Sequence, residues 1–256
     1  MKPLTNDLAA KDRLAVALDV PDTAAALALV DRLEDSCRWL KVGMELYYSA
    51  GNALVEELRR RGYSIFLDLK LHDIPNTVAG AVRSATQAGA ELLTVHASGG
   101  GAMLRAAAEA AEAPDSPRLL AVTVLTSMDA AELISVGVSS SPAEQALRLA
   151  HLAKDSGIHG MVCSAEEVGS LRREIGPDAL LVVPGIRPSG ASVDDQRRIA
   201  TPGDAISRGS SMLVVGRPIT KATNPAAAAR TVLEEIASAM HPPSPTFGTK
   251  SSIHAT

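Results

Sequence analysis

The chain alternates short apolar runs with longer amphipathic stretches, and it does so eight times. The short runs, residues 14–18, 39–42, 64–69, 92–96, 119–125, 160–163, 180–183 and 212–215, have the length and apolar content of buried strands. The stretches between them predict helices over 23–33, 50–61, 76–88, 101–111, 142–155, 165–175, 202–208 and 225–240. Helix-start signals stand at Pro21-Asp22, Ser141-Pro142, Ser164 before Glu166-Glu167, Thr201-Pro202 and Asn224-Pro225. Stop signals stand at Gly62, Gly89, Gly157 and Gly209. Strand–helix alternation implies parallel strands joined by helical crossovers. Eight units of about 32 residues match the size of a (β/α)8 barrel, a TIM barrel of the α/β class, formed as a single domain over residues 1–240. An open doubly wound sheet has the same alternation, and pattern alone leaves it open. From His241 the chain is rich in Pro, Ser and Thr without periodicity, so residues 241–256 are expected to be a flexible end.

Composition narrows the function classes. Aromatic residues make up 2% of the chain, so a core must rest on Leu, Val, Ile and Ala. The net charge is -4 with no basic stripe, which argues against a nucleic-acid partner. The first residues lack the apolar core of a signal peptide, and no apolar run approaches the ~18 residues that span a bilayer. A cytoplasmic protein without membrane contact is expected. Cys37 and Cys163 lack CxxC spacing and accompanying ligands, so they read as reduced, buried thiols and not as a disulfide or metal site.

The segment Asp68-Leu69-Lys70-Leu71-His72-Asp73-Ile74-Pro75-Asn76-Thr77 carries the strongest chemical signal. Two carboxylates and an ammonium fall within six residues at the end of a buried strand, where unpaired charge is costly. Side chains alternate along a strand, so Asp68 and Lys70 share a face, whereas Asp73 breaks that parity. Other polar residues also fall at strand ends: Asp19, Lys41, His96, Thr126, Arg187 and Arg217. In an α/β barrel that end is the active face. Singly, each has a plainer reading. Asp19 or Lys41 alone reads as half of a structural ion pair, His72 or His96 as a hydrogen-bonded structural histidine, and Arg187 as a solvated loop residue. Residues 185–200 make a long connection for a barrel, of the kind that is usually a lid or a disordered segment. Gly216-Arg217 follows the last strand, and a glycine turn with an arginine suits a phosphate, the plainer alternative being an ordinary turn with an exposed arginine.

At these residues the chain resembles the orotidine 5'-monophosphate decarboxylase family. The resemblance runs from Leu14 to Ala222 through LAVALDV, LKVG, FLDLKLHDIPNT, TVHASGG, AVTVLTSM, VVPGIRP and VVGRPIT. It implies a (β/α)8 homodimer that converts orotidine 5'-monophosphate to UMP and CO2 without metal or organic cofactor. It implies a catalytic network of Lys41, Asp68, Lys70 and Asp73, with Lys70 as proton donor. Asp73 and Thr77 are expected to reach the neighbouring subunit's site. Asp19 and Lys41 are expected at the ribose hydroxyls, and Thr126 at the pyrimidine. Gln196, Gly216 and Arg217 are expected at the phosphate, with Arg187 and Gln196 on the closing loop. Ile74 and Pro184 complete the implied substrate-binding set. Related sugar-phosphate decarboxylases and hexulose-phosphate synthases share the Asp-x-Lys-x-x-Asp core but use Mg²⁺, and the Ile74-Pro75-Asn76-Thr77 extension disfavours them. A non-catalytic nucleotide-binding protein on the same fold would not need the intact charged set.

Overall fold

The computed structural model describes residues 9–188 and 200–241. The strands are β1 (Leu14–Ala17), β2 (Trp39–Gly43), β3 (Ser64–Leu71), β4 (Leu92–His96), β5 (Arg118–Val122), β6 (Gly160–Val162), β7 (Leu180–Val183) and β8 (Met212–Val215). They pair in parallel in chain order, and β8 returns to β1 to close the barrel. That closing ladder, which pairs Ala15 with Val214, excludes the open sheet. The helices are α1 (Thr23–Leu33), α2 (Met44–Arg60), α3 (Pro75–Ala88), α4 (Gly100–Ala110), α5 (Ala130–Ser135), α6 (Pro142–Asp155), α7 (Val168–Ile175), α8 (Pro202–Ser207), α9 (Arg217–Thr220) and α10 (Pro225–Met240). Among the described residues no helix is long and apolar enough to cross a membrane. The expected flexible end lies outside the described residues except for His241.

Most start signals act as caps. The side chains of Asp22, Ser141, Thr201 and Asn224 each accept a hydrogen bond from a first-turn amide, satisfying a donor that the helix itself leaves orphaned. Ser141 and Glu144 complete a reciprocal capping box. Gly89 ends α3 in the left-handed conformation, at φ 81°.

The two faces of each strand fill two separate cores. Outward residues such as Leu14, Val16, Leu40, Ile65, Leu67, Leu93 and Val95 pack under the helices. Inward residues Ala15, Ala17, Trp39, Phe66, Leu92, Leu120, Leu180, Val182, Met212 and Val214 fill the barrel. Each fully buried Leu, Val or Phe contributes roughly 1.5–3 kcal/mol. The interior is tight at Gly160, where a Cβ would stand 2.5 Å from the Leu119 carbonyl oxygen and 2.6 Å from Leu120 Cδ2. The inward parity continues past the apolar layers into polar residues: Ala17 leads to Asp19, Trp39 to Lys41, Phe66 to Asp68, and Leu92 to Thr94. The alternation that builds the core therefore also delivers charge to the C-terminal mouth.

Candidate active site

The site starts from an irregularity in β3. Its ladder with β4 runs regularly through Phe66–Leu92 and Leu67–Leu93, then slips and resumes at Leu71–Val95. Within the slip Lys70 adopts φ 48°, the left-handed region that non-glycine residues avoid. Such a conformation costs on the order of 1–3 kcal/mol and persists only where the surroundings impose it. Here the Lys70 amide donates to Thr94 Oγ1 at 2.8 Å, and its Nζ donates to Asp68 Oδ1 at 2.8 Å.

Opposite charges alternate across the mouth. Lys41 Nζ lies 3.0 Å from Asp19 Oδ1 and 3.6 Å from Asp68 Oδ2, and Asp68 in turn holds Lys70. Gly43 leaves room for the first pair, since a Cβ there would meet Lys41 Nζ at 3.1 Å. Burial alone would push the Asp68 carboxyl up. The charges of Lys41 and Lys70, with hydrogen bonds from Lys70 and Thr94, outweigh it and hold the group below the usual carboxylate range. The His96 imidazole is pushed down by burial, by His72 and by Lys70, against an opposing pull from Asp68. The two imidazole rings stand 5.3 Å apart between centroids.

These groups face a cavity of about 390 Å³, a size suited to a small-molecule ligand. Asp19, Lys41, Asp68 and Lys70 line it together with Thr126, Pro184, Arg187, Gly216 and Arg217. Phe66, Val122, Val162 and Val214 add apolar surface. Cations and anions thus sit beside apolar walls that limit solvent screening. Arg187 is buried, 6% exposed, so the solvated-loop reading does not hold for it. Its amide donates to the Ala200 carbonyl at 3.0 Å, which ties the two described ends of the 185–200 connection together. Among the described residues no three His, Cys, Asp or Glu side chains are grouped to hold a metal ion.

Asp73, Ile74 and Thr77 do not line this cavity. They are exposed, Asp73 and Ile74 on the turn into α3 and Thr77 in its first turn, and Asp73 Oδ1 accepts a hydrogen bond from the Ile74 amide at 2.6 Å. His72 and His96 do not line it either. Gln196 lies outside the described residues. Sequence reasoning missed Thr94, fully buried and bonded to both Asp68 and Lys70, because a single hydroxyl in Leu-Leu-Thr-Val-His reads as strand filler. Its inward parity, shared with Leu92, was the available signal.

The model of the orotidine 5'-phosphate decarboxylase / HUMPS family matches residues 12–232. The chain belongs to this family. A relative from Vibrio parahaemolyticus described as orotidine 5'-phosphate decarboxylase is 51% identical over 88% of the chain and 98% of its own length. Another of that description, from Halorhodospira halophila, is 54% identical over 89% of the chain and 97% of its own length. Among solved structures, orotidine 5'-phosphate decarboxylase from Lactobacillus acidophilus superposes with a TM-score of 0.78 at 41% identity, covering 88% of this chain and 99% of that one. The family match spans all eight strands and every described residue of the cavity wall.

Proposed function

We propose that the chain decarboxylates orotidine 5'-monophosphate to UMP and CO2, the last step of de novo pyrimidine synthesis. The observation that carries this reading is the alternating Asp19–Lys41–Asp68–Lys70 array on one side of a cavity that also holds Arg187 and Arg217. The family membership and the relatives of that name support the same reading.

The residue types suit the chemistry. When the bond from C6 of the pyrimidine to the carboxylate breaks, CO2 departs and the electron pair remains in the plane of the ring, where the π system delocalises it poorly. A charge so localised calls for a preorganised cation nearby. In this reading the protonated Lys70 ammonium stabilises the carbanion as it forms and then transfers a proton to C6, giving UMP. Solvent returns a proton to the amine. Asp68 aims Lys70, and Lys41 supports Asp68 from the other side. The reading uses neither metal nor organic cofactor.

Binding roles follow the same geometry. Asp19 and Lys41 hold the ribose hydroxyls, Thr126 and Pro184 border the pyrimidine, and Gly216 and Arg217 take the phosphate; Gln196, which the family resemblance also puts at the phosphate, lies outside the described residues. Phosphate binding far from the reacting bond then contributes to turnover as well as to affinity. Asp73, Ile74 and Thr77 belong to a neighbouring site in a homodimer. Their exposure, with Ile74 68% open to solvent, fits a surface covered by a second copy. A cytoplasmic location is part of the same reading.

The test is absorbance loss when the purified protein meets orotidine 5'-monophosphate in excess EDTA, with the product identified as UMP. Metal-independent turnover is expected. Inactivity on that nucleotide, with Mg²⁺-dependent turnover of a keto-sugar phosphate, would overturn the assignment.

A further inference from the structure

We infer that Thr94 is a positioning residue for catalysis: its hydroxyl fixes the Asp68 carboxylate and the Lys70 backbone in one arrangement, so that the ammonium is held at a set place in the cavity. The inference rests on the proposed decarboxylation.

The ladder slip supplies the reason for a hydroxyl at this position. Between the pairs Leu67–Leu93 and Leu71–Val95, β3 has three residues, Asp68, Leu69 and Lys70, where β4 has only Thr94. A regular strand would satisfy the Lys70 amide with a backbone carbonyl of its neighbour. At the slip, the amide donates instead to Thr94 Oγ1 at 2.8 Å. The same oxygen donates its own proton to Asp68 Oδ1 at 3.1 Å, and Lys70 Nζ donates to that same carboxylate oxygen at 2.8 Å. Amide, hydroxyl, carboxylate and ammonium thus close a ring that anchors Lys70 at both its backbone and its side-chain tip.

Two features set Thr94 apart from an ordinary core threonine. It is fully buried and points inward with Leu92, in a layer that Val or Leu would fill without polar demands. Both of its hydrogen bonds go to residues of the cavity wall. Removing the hydroxyl leaves the Lys70 amide without its acceptor and withdraws one of the bonds that steady Asp68. Lys70, already at a left-handed φ, then has a backbone free to relax toward the ordinary β region. Thr94 itself does not line the cavity, so substrate affinity need not change with it.

The experiment compares kcat and KM for orotidine 5'-monophosphate in the full chain and in Thr94→Val, Thr94→Ala and Thr94→Ser. Val preserves shape and removes the hydroxyl, whereas Ser preserves the hydroxyl. Because a displacement near 1 Å can cost a factor of ~100, Thr94→Val is expected to lose about 10- to 100-fold in kcat with KM within about threefold, and Thr94→Ser to recover most of the loss. If Thr94→Val does not fold by circular dichroism, Thr94→Ala against Thr94→Ser carries the same comparison. A hydroxyl-free variant with wild-type kcat, or a serine variant as impaired as the hydroxyl-free ones, overturns the inference. So does a loss that appears equally in KM. Wild type that fails to convert the nucleotide overturns the functional reading beneath it, whereas active wild type with an indifferent Thr94→Val overturns this inference alone.

Discussion

Asp68 stays ionised in a place where burial favours the neutral acid, because Lys41 and Lys70 flank it and Thr94 donates to it. Its folded pKa lies below its unfolded one. Its contribution to stability is therefore present above the ordinary carboxylate range and is lost as pH falls through the folded value. His96 shifts in the same direction from an ordinary value of 6.5, through burial, His72 and Lys70, with Asp68 opposing. Below that value the unfolded chain binds more protons at this position than the folded chain does, so stability is lost as the pH is lowered. We expect Tm to drop as pH is lowered from about 7.5 to about 5.5, and His96→Gln to flatten part of that slope. Thermal melts across this range check it, and an unchanged slope in His96→Gln would assign the effect to other groups. Residues at this scale were unevenly legible. Asp68 and Lys70 stood out as charges at the end of an apolar run. Thr94 did not, because its importance comes from a ladder slip between strands distant in sequence. The left-handed backbone of Lys70 comes from that same tertiary constraint and has no glycine or asparagine to announce it.

At the scale of elements, polar caps and proline starts located α1, α6, α8 and α10 at their first residues, since capping is a local interaction. Elements whose limits depend on neighbours were less legible. The predicted helix at 50–61 begins earlier, at Met44, because Met44-Glu45-Leu46 leaves β2 directly in helical form and Gly51, at φ 62°, kinks the helix instead of starting it. The helix expected from residue 165 begins at Val168, and Glu167 first folds back to accept the Ser164 amide at 2.9 Å. The apolar run 119–125 is a strand only to Val122. Val124 and Leu125 turn to line the cavity, and this apolar lining made the strand look longer than it is. Short α5 and α9 follow loops whose course the barrel mouth determines, and neither has the length for a periodic signal.

For the whole molecule, eight alternating units suggested a barrel but did not close it; the β1–β8 ladder does. Closure brings strand ends separated by most of the chain, Asp19 and Arg217 among them, around one cavity. Asp73 lies outside that cavity in its own chain, which the proposed dimer explains by sending it to a partner's site. Mixed samples of inactive Lys70→Ala and inactive Asp73→Ala are therefore expected to regain activity, up to about a quarter of wild type, since each hybrid dimer restores one intact site. No recovery despite proven subunit exchange would confine the site to one chain. In the proposed reaction Lys70 protonates the substrate carbon. The most direct test of that role is kcat of Lys70→Ala with orotidine 5'-monophosphate beside the affinity of the same variant for UMP. Lys70→Ala is expected to lose at least ~1,000-fold in kcat, as when one group supplies both charge stabilisation and the proton, with UMP still bound. Turnover at the wild-type rate in Lys70→Ala would contradict it.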